Sequence, residues 1–347
     1  MARIETVTAS MDARNSAPSA RSRAPVFVMG CHRSGTNLLY DTLLSAGGFA
    51  VYRGYLPVHK TLVPRFGSLQ LKKNRQKLLQ IWLKSESFRR SGLPENYIQE
   101  QVLDYCRNGG DFIRITMDEM ARRQNVGRWA VYDPDAVLYV NQIKAEIPDA
   151  LFVHIVRDGR DVAISLEKMG GFRPFPWNRR HLGLEETAIY WRWMVEHGRR
   201  LGNQILPDYL EVHYEELVSE PESALKKLGE FIDHDLNYER IQQSGLGRIS
   251  EPNSSFGGET EFVQPVGRWK EKLNREELLR IEWAVGETLK EFGYALTTAP
   301  SERRSTAKSW WMRSFFPAFL NTKLFLKTRT PLGRFANLEP LHSDAAE

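Results

Sequence analysis

The sequence predicts an α/β fold in which a parallel β-sheet is flanked by helices on both faces. Short apolar runs typical of buried strands alternate along the chain with longer segments of helical periodicity. Strands that alternate with helices form parallel sheets, and such sheets are covered on both faces. The first strand leads through a turn bounded by Gly30 and Gly35 into a helix. This arrangement places free backbone N–H groups at the carboxyl edge of the sheet.

The strands and helices can be assigned in order along the chain. Apolar runs predict strands at residues 26–29, 49–52, 129–132, 151–156 and 209–214. Helical spacing predicts a first helix that begins near Thr36 and further helices at residues 74–83, 136–147, 158–169, 184–205 and 221–231. A mixed helical region is predicted at residues 94–125. Asn274 and Glu277 form a capping pair that predicts the start of a last helix.

Composition divides the chain into three segments. Residues 1–24 are rich in Ser, Ala and Arg and contain no apolar run, so we expect a disordered N-terminal tail without a signal peptide. Residues 25–298 are predicted to form a single domain. Residues 299–347 are predicted to form an aromatic and basic C-terminal arm.

The C-terminal arm allows two interpretations. Residues 309–327 combine two Trp and four Phe with basic side chains, a composition that is found in peripheral membrane contacts. Alternatively, the arm packs on the domain or on a second subunit of a homo-oligomer. Pro317 is expected to break a long amphipathic helix, which favours packing over membrane contact.

Charge and cysteine content limit the classes of function. Only Cys31 and Cys106 are present, which is too few for a disulfide framework and favours a reducing, cytoplasmic compartment. The net charge is +5, and the basic residues are not interleaved with stacking aromatic residues as nucleic-acid surfaces require. The chain contains no run of about 18 apolar residues. We therefore expect neither a nucleic-acid partner nor a membrane span.

The turn at residues 30–36 has the properties of an anion site. Free N–H groups and the helix dipole attract negative charge to a helix N-terminus. Arg33 adds a guanidinium fork, and Ser34 and Thr36 add hydroxyl donors. The glycine spacing matches that of P-loop proteins, but Thr36 and Asn37 replace the Lys and the hydroxyl residue that hold a triphosphate and Mg²⁺. The sequence therefore predicts a P-loop-like phosphate site that needs no metal.

The loop also resembles that of a known family. Its sequence Cys-His-Arg-Ser-Gly-Thr-Asn, residues 31–37, is similar to the 5′-phosphosulfate loop of sulfotransferases, in particular the bacterial and tyrosylprotein branch. These enzymes use 3′-phosphoadenosine 5′-phosphosulfate (PAPS) as sulfuryl donor. The resemblance implies that PAPS is contacted by His32, Arg33, Ser34, Gly35, Thr36 and Asn37.

A second segment, residues 155–165, resembles the 3′-phosphate motif of the same family. Arg157 follows a predicted strand and Ser165 lies eight residues later, a spacing that can aim both side chains at one anion. Further similarity occurs at residues 214–217 and 265–270. The resemblance implies an aromatic plane and cations over the nucleotide, with contacts from Tyr214, Gly267, Arg268, Trp269 and Lys270.

The family pattern does not supply the catalytic base. Relatives often have a Glu after the loop, but no Asp or Glu occurs between Thr42 and Ser85. His59 is one candidate, because an ordinary histidine pKa of about 6.5 suits proton abstraction. Asp133, after the strand at 129–132, is the other. A third interpretation is a lost or altered reaction. In an active enzyme, Arg33 would stabilise charge on the leaving phosphate.

The acid-free stretch is strongly basic. We expect it to favour an anionic acceptor, such as an acidic glycan or a lipid headgroup. Its cations are Arg53, Lys60, Arg65, Lys72, Lys73, Arg75, Lys77 and Lys84.

Together these features predict a PAPS-dependent sulfotransferase that acts on the hydroxyl or amine of a small molecule, glycan or lipid. Two alternatives stay open. One is a protein of the same fold that binds a partner without catalysis, and the other is a P-loop kinase-like enzyme. The latter requires the Lys that the loop lacks.

Overall fold

The structure, a computed structural model, describes residues 19–169, 182–244, 266–303 and 307–341. Within these ranges the chain forms five strands: β1 (Val26–Gly30), β2 (Phe49–Ala50), β3 (Arg128–Tyr132), β4 (Leu151–Val156) and β5 (Tyr209–His213). They make one sheet in the order β2–β3–β1–β4–β5. Each neighbouring pair is parallel.

Helices connect the strands and cover the sheet. Among the described residues the α-helices are α1 (Ala20–Arg23), α2 (Thr36–Ser45), α3 (Val63–Phe66), α4 (Lys72–Trp82), α5 (Glu86–Ser91), α6 (Glu95–Tyr105), α7 (Gly109–Arg123), α8 (Val140–Glu146), α9 (Gly159–Met169), α10 (Leu184–Gly202), α11 (Tyr214–Ser219), α12 (Pro221–Ile232), α13 (Tyr238–Ser244), α14 (Trp269–Lys272), α15 (Arg275–Glu291) and α16 (Ala307–Arg329). A π-helical turn covers Val58–Leu62, and 3₁₀ turns cover Pro134–Leu138, Pro331–Phe335 and Glu339–Leu341. None of the described helices is long and apolar enough to cross a membrane.

The central strand β1 is buried on both faces. Phe27 and Met29 belong to one hydrophobic core, whereas Val26 and Val28 belong to another. This division follows from the alternation of side chains along a strand. Helices α7, α9, α10 and α15 contribute to the first core, and α2 and α12 to the second. The predicted α/β fold, with helices on both faces of a parallel sheet, is therefore confirmed.

Several local predictions differ from the structure at their boundaries. The strand predicted at 209–214 ends at His213 because Tyr214 begins α11. The helix predicted at 136–147 is divided into a 3₁₀ turn and α8. The capping pair is confirmed, since Asn274 accepts from the Glu277 N–H and Glu277 accepts from the Asn274 N–H.

The end of the predicted disordered tail is ordered. Ser19 caps α1, and Arg21 donates to Asp208 Oδ1 at 3.0 Å. The buried guanidinium of Arg128 donates to the carbonyl oxygens of Ala24 at 2.5 Å and Ile232 at 2.8 Å. Residues 19–24 are therefore held by hydrogen bonds from arginine side chains. The prediction of disorder considered only the low apolar content and not such hydrogen bonds. Residues 1–18 lie outside the described residues.

The prediction that Pro317 breaks the C-terminal helix is wrong. Pro317 lies inside α16, whose full length is 23 residues. A proline within a helix leaves the carbonyl four residues earlier without its usual N–H donor. In this protein that carbonyl belongs to Arg313, and the Arg192 guanidinium from α10 donates to it at 3.0 Å. The helix also buries Met312 and Phe316 in the first core, which further offsets the cost of the proline.

We expect the contribution of Arg192 to stability to depend on Pro317. Arg192→Met should lower the free energy of unfolding by roughly 1–3 kcal/mol, because it leaves the Arg313 carbonyl unsatisfied. The loss should be smaller in a Pro317→Ala background, where the alanine N–H can bond to that carbonyl. Urea denaturation of the two single variants and the double variant measures this coupling. Equal losses in both backgrounds would contradict the role assigned to Arg192.

Candidate active site

The loop after β1 turns through two left-handed residues before α2 begins. Arg33 has a φ of 72° and Gly35 a φ of 95°. A β-carbon at Gly35 would lie 2.4 Å from Cδ2 of the Tyr214 ring. That distance is much shorter than van der Waals contact, so Gly35 lets the loop pack directly against Tyr214.

Two hydroxyl groups of the loop differ in their surroundings. Thr36 is buried and lies near the Tyr132 hydroxyl, whose pKa it lowers against the larger effect of burial. Ser34 is fully buried, yet its Oγ has no hydrogen-bond partner among the described residues. A buried hydroxyl without a partner is costly. Its position beside the first turn of a helix suits a phosphate oxygen, which can accept its proton. Asn37, the second residue of α2, is partly buried.

The structure brings together the two anion motifs predicted from the sequence. Arg33 Nε donates to Ser165 Oγ at 2.9 Å, and Arg157 Nη1 donates to the Arg33 carbonyl at 3.2 Å. The Arg157 guanidinium lies over the Tyr214 ring, 4.4 Å from its centroid. Burial, and then the nearby charges of Arg157 and Arg268, lower the pKa of Arg33. Positive charge is therefore concentrated at the carboxyl ends of β1 and β4.

The late segment is attached to the same corner by Asp161 on α9. Its carboxylate accepts from the backbone N–H groups of Gly267 at 2.8 Å and Trp269 at 2.9 Å. The Trp269 ring is buried, with the Arg160 guanidinium 3.7 Å from its centroid. The predicted contact of the Trp269 ring with a nucleotide stays a prediction. Lys270 is exposed beside this ring.

Two carboxylates follow β3 at the same edge of the sheet. The Tyr55 hydroxyl lies 3.4 Å from Asp133 Oδ1 and 3.3 Å from Asp135 Oδ2. Asp135 Oδ2 also accepts from Lys60 Nζ at 2.5 Å and lies 3.4 Å from His32 Nε2 of the loop. The sequence analysis named Asp133 as a candidate base but not Asp135. The position of Asp135, two residues after Asp133 at the end of a strand, was the signal that two carboxylates lie close together here.

The two carboxylates have opposite proton affinities. Burial, and then the charge of Asp135, raise the pKa of Asp133 to about 7. Burial alone would also raise the pKa of Asp135, but Lys60 and His32 hold that pKa well below its usual range. Asp135 therefore carries the negative charge, and Asp133 is a carboxyl group that can take up a proton near neutral pH.

His59 lies outside this cluster. Its side chain is 1% exposed, and its Nε2 is 2.8 Å from Glu146 Oε2 on α8. The Gly110 N–H also donates to that oxygen, at 2.7 Å. The His59 ring is thus paired with Glu146 on α8 and is not part of the Asp133 and Asp135 cluster.

The basic stretch is less uniform than the sequence suggests, because several of its cations have partners within the protein. Lys60 pairs with Asp135, and Arg53 pairs with Asp41. Arg75 is buried and donates to the carbonyl of Leu69 at 2.7 Å. These three side chains are held by partners within the protein, so the eight cations do not form one uniform surface for an anionic acceptor.

The fold is a parallel α/β sheet in which two basic motifs meet at the carboxyl ends of β1 and β4. A sequence model of the sulfotransferase family matches residues 25–238. The chain therefore belongs to the sulfotransferase family. No curated protein matches it at a significant level.

Solved structures of sulfotransferases have a similar fold. The sulfotransferase domain from the curacin biosynthetic pathway has 15% sequence identity and a TM-score of 0.52, over 79% of this chain and 99% of that domain. The sulfotransferase STF9 from Mycobacterium avium has 15% identity and a TM-score of 0.44, over 80% of this chain and 78% of that protein. The first of these similarities supports the fold assignment.

We expect stability to report the raised pKa of Asp133. Between pH 5 and pH 8 the unfolded carboxyl is ionised, whereas the folded one is protonated until the pH passes about 7. Wild-type stability should therefore fall with rising pH relative to Asp133→Asn, by roughly 2–3 kcal/mol. Urea denaturation of both proteins at pH 5 and pH 8 measures this difference.

The control for this comparison is Asp104→Asn, at an exposed carboxyl in α6. Its difference from the wild type should change little with pH. If the stability difference between Asp133→Asn and the wild type is equally insensitive to pH, the pKa of Asp133 is not raised in the folded protein.

Proposed function

We propose that this chain is a PAPS-dependent sulfotransferase that acts on an acceptor hydroxyl or amine. The observation that carries the proposal is the 2.9 Å contact between Arg33 and Ser165. It joins the loop that resembles a 5′-phosphosulfate site to the segment that resembles a 3′-phosphate site. A nucleotide with anionic groups at both positions matches two adjacent anion motifs.

The residues present fit such a ligand. The Ser34 hydroxyl is buried without a partner among the described residues and requires an acceptor. Two further charges, Arg157 and Arg268, act on Arg33, and phosphates would relieve their mutual repulsion. Ser34, Gly35, Thr36 and the N–H groups at the start of α2 would hold the 5′ end, while Arg157 and Ser165 would hold the 3′-phosphate.

The chemistry divides between the donor and a few side chains. Bound PAPS would supply the sulfuryl group for transfer to the acceptor atom, and the phosphate of the nucleotide would be the leaving group. Arg33 and the α2 N-terminus stabilise negative charge on the departing phosphate. Asp133 takes the acceptor proton, since a base with a pKa near 7 suits general-base catalysis at neutral pH.

Adenosine 3′,5′-bisphosphate, the product nucleotide, tests the donor site. At about one hundred times its Kd it should add about 2.7 kcal/mol of stability, measured as a rise in the thermal unfolding midpoint. Arg157→Met should abolish the rise, because the 3′-phosphate loses its guanidinium. Ser34→Ala should reduce it without destabilising the free protein, since the lost hydroxyl has no partner among the described residues.

Arg107→Met removes an exposed guanidinium on the same domain and should retain the full rise. ATP with Mg²⁺ should produce little change, because the loop lacks the lysine of ATP-binding P-loops. The proposal would be overturned by a wild-type protein that shows no rise with the bisphosphate.

A further inference from the structure

A cavity of about 210 Å³ lies between α16 and the helices of the domain. Two thirds of its lining is apolar or aromatic. Tyr139 and Trp193 form part of the domain side, and Leu320 and Leu324 form part of the α16 side. Trp193 also ties the two sides together, because its Nε1 donates to Asn321 on α16 at 2.8 Å.

The same cavity contains more positive than negative charge. Its charged residues are Lys60, Asp135, Lys323 and Lys327. Asp135 neutralises Lys60 through their 2.5 Å contact. Lys323 and Lys327 lie one turn apart on α16, and the described residues offer neither ammonium group a hydrogen bond or a carboxylate partner. Burial, together with Lys60 and Lys323, lowers the pKa of Lys327 to about 8. The charges of Asp135 and Asp133 act on this pKa in the opposite direction.

Asp135 connects the cavity to the donor loop. One of its oxygens faces Lys60 of the cavity and lies 3.4 Å from His32 of the loop. Through Tyr55, the same carboxylate neighbours Asp133. A molecule bound in the cavity would thus lie beside the proposed base and the loop that holds the donor.

We propose that this cavity is the acceptor site and that its acceptor is an anionic amphiphile. The apolar walls would bind a hydrocarbon portion, and Lys323 and Lys327 would bind an anionic group such as a phosphate or carboxylate. The inference rests on the proposed sulfotransferase function and names its substrate class. Such an acceptor can be free in solution or held in a membrane, since Trp310, Trp311 and Phe315 of α16 are each at least half exposed.

Calorimetric titration with three probes tests the proposal: octyl phosphate, octyl glucoside and inorganic phosphate, each below any micelle concentration. Octyl phosphate should bind the wild-type protein at least tenfold more tightly than the other two, because only it combines a chain with an anion. Lys323→Met with Lys327→Met should remove that preference. Leu320→Trp should weaken octyl phosphate binding by filling the cavity.

Matched variants control for general effects of these substitutions. Lys72→Met with Lys73→Met removes two exposed lysines from α4, and Ala318→Trp adds a ring at an exposed position of α16. Both should bind octyl phosphate as the wild type does. Equal binding of octyl phosphate and octyl glucoside, or binding that the Lys323 and Lys327 changes do not alter, would overturn the proposal.

Adenosine 3′,5′-bisphosphate binding separates this proposal from the proposed function. A thermal shift with the bisphosphate but no octyl phosphate binding overturns the acceptor class alone. The converse result overturns the donor assignment and supports the cavity as a site for an anionic amphiphile. Sedimentation with phosphatidylglycerol vesicles identifies the source of the acceptor. If the protein binds the vesicles and the double change Trp310→Ser with Trp311→Ser abolishes this binding, the acceptor is an amphiphile held in a membrane. If the protein does not bind the vesicles, the acceptor is free in solution.

Discussion

The convergence of like charges at the ends of two adjacent strands is the constraint on which the site depends. β1 and β4 pair with Gly30 opposite Ile155, so the segments after both strands leave the sheet at the same place. Arg33 and Arg157 consequently come into contact, and their repulsion is offset by the Tyr214 ring beneath Arg157. An anion at this corner would be attracted by both guanidinium groups, and this attraction is the basis of the proposed function.

The two carboxylates after β3 show how a shared environment can assign different roles to identical groups. Lys60 and His32 both approach Asp135, so Asp135 carries the negative charge and Asp133 has the higher proton affinity. Because His32 lies on the loop after β1, the proposed donor loop and the proposed base are neighbours through Asp135.

The sequence predicted what depends on short segments and missed what depends on distant contacts. The turn between β1 and α2 and the order of strands and helices along the chain follow from local spacing. The pairing of Lys60 with Asp135 joins residues far apart in the chain, so no motif revealed it. His59 was a candidate base by residue type, but only the structure shows that it pairs with Glu146.

The C-terminal arm supplies one wall of the cavity from outside the segment that the sulfotransferase family shares. The family match ends at residue 238, whereas α16 covers Ala307–Arg329. The two anion motifs at residues 31–37 and 157–165 and the α16 side of the cavity therefore occupy separate stretches of the chain. Under the proposed functions, substitutions in α16 would change acceptor choice in evolution without altering these two motifs.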